Sequence, residues 1–406
     1  MRIGRWELTH FLTRCGRRSE GGRDGQVGSE WGMVRYAGLL LLLLPVLGAA
    51  PAGQDNAARA KAAYARAAQL ERDGNHAAAL ALLWEAAGLD PRNAEVQSRL
   101  GEALERIGAL DAAIEAYRDA LAVRPGLRKI SGNLVLALVK AGRGAEGAAR
   151  ARALVAAHPD DADQHFTLGL ALAEQDVEAA SASFRQALAL DSRHALARYN
   201  LALVLRRADR LDEAVAELTR AIHDDPRAEA HYTLGVIYWH TGDLARARRA
   251  LEAAVAAAPG YVDAHYTLGA VHRAARDWDA AAASLRRAIE LQPDLWGAHS
   301  TLGLVLQHVG DAAAGARHLA EGERLRRQAG LEQEAGVWTA VGSAKLDRKD
   351  LEGAVDSFRR ATTLVDTYAP AHYQLGRAFL MLGEPEAART AFTRAHQLNP
   401  ALLPPQ

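Results

Sequence analysis

Five histidines recur along the chain at similar positions, and imidazole is the commonest protein ligand for metal ions. They are His165, His231, His265, His299 and His372. If each lies on a separate helix, the array argues against a shared ion. Packed helices lie about 8–10 Å apart, whereas zinc needs each ligand nitrogen within about 2.1 Å. The spacing therefore predicts interhelix packing for these histidines and no metal site.

Aromatic side chains with small hydrogen-bonding neighbours form a second recurring set. Rings offer apolar contact, and small polar groups can bond the backbone of an extended peptide. Nearby arginine and tryptophan side chains suit an acidic or aromatic segment. The alternative is that these side chains only pack within their own repeat or face solvent. The predicted peptide-binding groove consists of Phe166, Tyr199, Asn200, Arg206, Tyr232, Thr233, Trp239, Tyr266, Thr267, Arg273 and Tyr373.

Both sets belong to a pattern that repeats through most of the chain. A Leu-Gly pair such as Leu100-Gly101 marks a first helix, an alanine such as Ala113 marks a second, and a proline such as Pro125 closes the unit. Apolar residues follow the i, i+3, i+4, i+7 spacing of a buried helix face. The small glycine and alanine predict close approach of the two helices. Units begin at Ala60, Ala94, Arg128, Ala162, Ala195, Ala228, Val262, Trp296, Ala335 and Ala369.

This pattern resembles the tetratricopeptide repeat, whose signature is W-x2-L-G-x2-Y, then A-x3-F, then P. The resemblance covers about residues 60–400. It implies an all-α fold, a right-handed superhelical solenoid of about ten helix-turn-helix repeats with a concave groove. The carboxylate clamp of chaperone adaptors is not carried over. Only Lys129 and Asn133 touch its pattern, and Gly132 interrupts it.

Two segments depart from the regular pattern. Residues 328–334 lie in "GERLRRQAGLEQEAG", which replaces the usual proline turn between repeats 1–8 (60–327) and repeats 9–10 (335–400). We expect an irregular or extended-helix junction there that divides the array into eight units plus two. The tail 401–406 is too short for a capping helix. The last apolar flank is therefore covered by the tail's leucines or offered to another protein, giving weak self-association or partner docking.

The N-terminal region has the character of an export signal. Residues 33–52 combine Met33 and Arg35 with a leucine-rich run and a small-residue exit at Ala50-Pro51-Ala52. The run is shorter than the about 20 apolar residues of a membrane helix. A cleaved signal peptide is therefore predicted, with an uncleaved anchor or a buried apolar segment as alternatives. Residues 1–32 are predicted to be disordered and upstream of the true start, the alternative being a cytoplasmic N-region; residues 53–59 are predicted as a linker.

Composition and motifs argue against several functional classes. The 406 residues include 49 Lys and Arg against 49 Asp and Glu, which does not favour nucleic acid or an anionic membrane as partner. The single cysteine, Cys15, precedes the predicted signal, so disulfides and thiolate metal sites are not expected. The common nucleotide, metalloprotease and serine-hydrolase motifs are missing from the sequence. No catalytic residues and no cofactor are predicted.

The sequence therefore favours an exported, non-catalytic scaffold that binds proteins or extended peptides in its groove. Periplasmic or extracellular location in a bacterium is expected, with membrane anchoring as the alternative. Two other functions stay open: a glycan-associated binder of the cell envelope, because tyrosine and tryptophan also stack on sugars, and an assembly or chaperone-like adaptor.

Overall fold

The computed structural model describes residues 54–399 and Leu402, and these residues form nineteen α-helices and no strand. Segments 1–32 and 33–52 and most of the tail 401–406 lie outside the described residues. The first helix begins at Gln54, so residues 54–59, predicted as a linker, are helical. Asp55 in the first turn favours this start, because a carboxylate stabilises the positive end of the helix dipole. None of the described helices is both long enough and apolar enough to cross a membrane.

The chain divides into two compact units at Pro226 and Arg227. In the first unit, each odd-numbered helix packs against the even-numbered helix that follows it. Its ten helices are α1 (Gln54–Arg72), α2 (His76–Leu89), α3 (Ala94–Arg106), α4 (Leu110–Val123), α5 (Arg128–Lys140), α6 (Gly144–Ala157), α7 (Ala162–Leu172), α8 (Val177–Leu190), α9 (Ala195–Arg207) and α10 (Leu211–Asp224).

The second unit continues the pattern of helix pairs with one fused member. Its nine described helices are α11 (Ala228–His240), α12 (Leu244–Ala257), α13 (Val262–Ala274), α14 (Trp278–Leu291), α15 (Trp296–His308), α16 (Ala312–Asp347), α17 (Leu351–Leu364), α18 (Ala369–Leu382) and α19 (Pro385–Leu398).

Helix α16 runs through the predicted junction 328–334 without a break for 36 residues. It supplies the second helix of one repeat and the first helix of the next, packing on α15 and then on α17. The junction is therefore the extended helix of the two forms expected, and it lies inside the second unit. The division into eight repeats plus two stays a prediction.

Local sequence explains where the helices begin and end. Asp243 accepts a hydrogen bond from the backbone N–H of Arg246 and so caps α12, and Asp311 caps α16 in the same way. Helix α18 ends at Gly383, whose φ of 79° is the left-handed conformation that glycine adopts without strain. These signals keep the turn between the two helices of a pair short.

In several pairs the two helices interlock at a glycine of the first helix, usually the glycine of the Leu-Gly motif. A Cβ built on Gly101 would lie 2.5 Å from Cε1 of Tyr117, and one on Gly342 would lie 2.5 Å from Cε1 of Phe358. In other pairs a leucine takes the place of the ring, as Leu251 does over Gly235. The glycine is therefore a socket for a side chain of the second helix, which lets the two helices pack closely.

Candidate peptide-binding surfaces

In the first unit, the candidate residues lie on α7 and α9, the first helices of two successive pairs. The Phe166 ring is half-buried, with its centroid 5.9 Å from that of Phe184 and 4.8 Å from that of His194. Tyr199 is also half-buried. Arg206 makes no ion pair with any described residue. This surface combines packed rings with an uncompensated cation.

In the second unit, Tyr232 on α11 and Tyr266 on α13 occupy equivalent positions and both reach toward the next pair. The Tyr232 ring centroid lies 5.0 Å from that of Tyr261, just before α13. The hydroxyl of Tyr266 lies 3.1 Å from the place where a Cβ on Gly297 would be, near the start of α15. Both tyrosines are half-buried, so each is partly covered by its neighbours and partly accessible.

Trp239 and Arg273 occupy a second pair of equivalent positions, near the ends of α11 and α13. Trp239 is half-buried and packs against the cluster that contains Leu251 and Val271. Arg273 is exposed and forms no ion pair with the described part of the chain. A rigidly held indole and a solvated guanidinium therefore accompany the two tyrosines on the first helices of this unit.

Tyr373 lies apart from that group, in the last helix pair. Its ring meets that of Phe392 edge-on, with centroids 5.4 Å apart, and contacts the cluster that includes Phe358 and Leu375. The structure therefore gives Tyr373 a packing role and does not bring it together with Tyr232 and Tyr266 in one cluster.

The polar side chains beside the rings do not form an accessible ladder. Thr233 is 1% exposed and Thr267 is 4% exposed, so neither presents its hydroxyl to solvent. Asn200 is half-buried and donates from Nδ2 to the Leu196 carbonyl of its own helix at 2.9 Å. Small polar residues in helices commonly satisfy themselves in this way. The surface available to a ligand thus consists of rings and cations, not of the predicted hydrogen-bonding column.

Four of the five recurring histidines bond their first helix to the loop before it. His165 Nε2 donates to the Pro159 carbonyl at 2.8 Å, and His299 Nε2 donates to the Pro293 carbonyl at 3.1 Å. His265 and His372 make the same bond six residues back. A carbonyl only accepts, so each Nε2 carries the proton. The sequence predicted packing for these histidines but did not predict the carbonyl acceptor. The proline that stands six residues before three of the histidines could have indicated it.

One of these histidines also pairs with a histidine on the next helix. The Nδ1 atoms of His299 and His318 lie 3.1 Å apart, so the nitrogen of one ring donates and that of the other accepts. Burial lowers the pKa of His318, and the nearby His299, Arg286 and Arg317 lower it further. Burial also lowers the pKa of His231. Both rings therefore favour the neutral form in the folded chain.

These shifts predict that the second unit loses stability in mild acid. Unfolded histidine titrates near pH 6.5, and the folded pKa values lie below that. Stability is therefore full above about pH 6.5 and falls as the pH decreases, because the unfolded chain then binds more protons. We expect a lower melting temperature at pH 5 than at pH 8, and a smaller difference for His318→Gln. The exposed His396→Gln is the matched control; a melting temperature that is equal at both pH values contradicts the prediction.

The described residues contain no group of three or more His, Cys, Asp or Glu side chains placed to hold a metal ion. Most carboxylates that make ion pairs do so on exposed helix faces, as Glu213 does with Arg210 and Arg185. Such exposed pairs contribute little to stability.

Comparison with solved structures finds partial similarity to several proteins. A tetratricopeptide repeat protein from Parabacteroides merdae is 18% identical, with 61% of this chain and 99% of that chain covered and a TM-score of 0.48. Pseudomonas aeruginosa pilF is 20% identical, covering 49% and 91%, with a TM-score of 0.44. The thermophilic protein TTC0263 from Thermus thermophilus is 23% identical, covering 44% and 98%, with a TM-score of 0.40. No curated protein matches the chain.

Sequence models of one family match most of the chain. Models described as tetratricopeptide repeat match residues 64–127, 133–176, 171–229, 207–262 and 232–295, and a further model with the same description matches 369–402. Together with the helix pairs and their glycine sockets, these matches identify an all-α helical repeat solenoid, a fold that suggests a protein-interaction scaffold and is generally non-catalytic. The chain belongs to the tetratricopeptide repeat family.

Proposed function

We propose that this protein is a non-catalytic scaffold that binds an extended segment of another protein on the first helices of its repeats. The observation that carries the proposal is the arrangement of Tyr232, Trp239, Tyr266 and Arg273 on α11 and α13. Each ring is half-buried and packs against neighbouring residues, which restricts its motion. Binding then costs little side-chain entropy, and Tyr, Trp and Arg are the side chains that dominate protein interfaces.

The charge of the surface on α11 and α13 favours an acidic and aromatic segment. Arg273 is an exposed cation without an ion-pair partner among the described residues. A carboxylate on the ligand would complete such a pair, and a ligand ring would stack on the exposed side of the tyrosines. The buried Thr233 and Thr267 would support the surface from below without touching the ligand.

We expect the double variant Tyr232→Ala, Tyr266→Ala to bind acidic, aromatic peptides at least about tenfold more weakly, because two anchor side chains of about 1–2 kcal/mol each are removed. Binding is measured by fluorescence anisotropy on the peptides that the wild-type chain selects from an array of extended sequences. Tyr238→Ala is the matched control: it lies on α11 and is half-buried, but its ring stacks with Arg246 at 4.6 Å.

The outcome distinguishes this function from its alternative. If the folded double variant binds the peptides with unchanged affinity, the tyrosines of α11 and α13 are not part of the binding surface. Selection of glycans in place of peptides, on a parallel glycan array, would favour the glycan-associated binder.

The proposal includes export to the periplasm or the cell exterior, with translation starting at Met33 and cleavage after Ala52. It is supported by the apolar run and the small-residue exit in the sequence. Mass spectrometry of the native protein tests it: a mature N-terminus near Gly53 is expected. Peptides from residues 1–32 would contradict the start at Met33, and an intact apolar run would favour the membrane-anchored alternative.

A further inference from the structure

Helix α16 has a central stretch that its own chain leaves uncovered. At about 1.5 Å per residue, its 36 residues span about 54 Å. The first part packs on α15, and the last part packs on α17 and α18. Every residue from Arg326 to Leu331 in between is exposed, so the helix continues there without support from the rest of the described chain.

One stripe of α16 runs from this stretch into the last part of the helix and carries two exposed valines. Gly330, Glu334, Val337 and Val341 are spaced by four, three and four residues, which places them on one stripe of the helix. Val337 is 57% exposed and Val341 37%. The two valines occupy the same repeat positions as Ala371 and Leu375, which are buried in the next pair; the fused helix removes the neighbour that would cover them.

Gly330 is a glycine inside a helix whose small size needs an explanation. Glycine inside a helix costs about 1 kcal/mol relative to alanine. Gly342, in the same helix, accommodates the Phe358 ring, but a Cβ on Gly330 would meet no atom within 4 Å. The small size of Gly330 thus serves no packing within the described chain. It would allow a second helix backbone to cross closely at this point.

The charges around Gly330 match those of a second copy in the antiparallel direction. Arg326 precedes Gly330 by four residues and Glu334 follows it by four. A twofold axis at Gly330 therefore places Arg326 of each copy opposite the glutamate of the other, whereas parallel pairing would oppose like charges. A twofold interface uses the same patch on both copies and must be self-complementary in this way.

We propose that two copies of this chain pair through α16, antiparallel and crossing at Gly330. Arg326 and Glu334 form an ion pair on each side of the crossing, and the exposed stretch from Arg326 to Leu331 becomes covered. The interface is separate from the rings on α11 and α13, so self-association would present two ligand-binding surfaces in one assembly.

Sedimentation velocity of the full-length chain over a concentration series tests the pairing. We expect a reversible dimer whose dissociation constant rises roughly tenfold for Arg326→Glu and for Glu334→Arg, since each change opposes like charges at two symmetric places. An equimolar mixture of these two variants, and a chain that carries both changes, should recover the wild-type affinity because opposite charges again face each other.

Two further variants separate the crossing from general charge and folding effects. Arg324→Glu is the matched control, because Arg324 and Arg326 are 57% and 60% exposed and each pairs with a glutamate three residues earlier, but Arg324 lies off the stripe. Gly330→Leu should weaken the dimer while circular dichroism shows an unchanged helix content. A chain that is monomeric at every concentration overturns the proposal. So does a dimer that Arg324→Glu weakens as much as Arg326→Glu, or one that depends on residues 401–406 and not on Arg326.

Discussion

Replacing Phe358 with alanine should lower the free energy of unfolding of the last repeats by about 3–5 kcal/mol, the range for a fully buried aromatic side chain. Phe358 is 0% exposed, and its ring packs against Gly342. This contact joins α17 to α16. The same ring belongs to a cluster with Leu346, Leu375 and Phe379, so it also joins this pair to α18. Alanine would leave a cavity at the meeting point of three helices.

Urea denaturation followed by circular dichroism measures this loss, and hydrogen exchange locates it. Each repeat in such an array contacts its neighbours only, so amides of α16 to α19 should exchange faster while those of α11 and α12 change least. Thr363→Ala is the control on the same helix: Thr363 is exposed, its hydroxyl bonds its own helix, and a change within about 0.5 kcal/mol is expected. A loss below about 1 kcal/mol for Phe358→Ala would show that the ring does not link the helices.

The repeat architecture could be predicted from the sequence because its main signals are local. Apolar spacing, a Leu-Gly pair and a closing proline recur in unit after unit, and each has one physical meaning in a helix pair. The sequence could not predict which atoms fill the glycine socket. The structure places a ring over Gly101 and Gly342 and a leucine over Gly235, and either satisfies the same pattern.

The candidate surface was only partly predictable. The spacing correctly placed Tyr232 and Tyr266 at equivalent positions of successive first helices, since that follows from the repeat period. It did not predict the burial of Thr233 and Thr267. Adjacent positions on a helix point about 100° apart, and the position of the neighbouring helix determines which of the two is covered. Tyr373 shows the same limit: its repeat position matches, but its ring packs on Phe392.

The junction was the least predictable element. The segment between repeats 8 and 9 lacks a proline but contains Gly330, so the sequence allowed either a loop or a continuous helix. Residues with high helix propensity on both sides of Gly330 favour the continuous helix. The ion pairs of Arg324 with Glu321 and of Arg326 with Glu323 stabilise it further. Because the two helices are fused into one, Val337 and Val341 are exposed. The local sequence around them does not predict this exposure.

The two glycines of α16 should respond to alanine in opposite directions. Gly342→Ala places a methyl group 2.5 Å from the Phe358 ring, and overpacking of this kind typically costs about 1–3 kcal/mol, more than the gain in helix propensity. Gly330→Ala meets no atom of the described chain, so the propensity gain of about 1 kcal/mol should remain. Both are measured by urea denaturation at a concentration low enough to keep the chain monomeric.

A double-mutant cycle then tests whether Gly342 and Phe358 act as one interlocking pair. If the socket exists to receive the ring, the methyl group of Gly342→Ala should cost much less in the Phe358→Ala background, because it enters the cavity that the missing ring leaves. The expected coupling is about 1–2 kcal/mol, within the range for residues in contact. Additive effects would contradict the interlock. The stability lost in Gly342→Ala would then have to come from a change in the α16 backbone, because Gly330→Ala measures the effect of helix propensity alone.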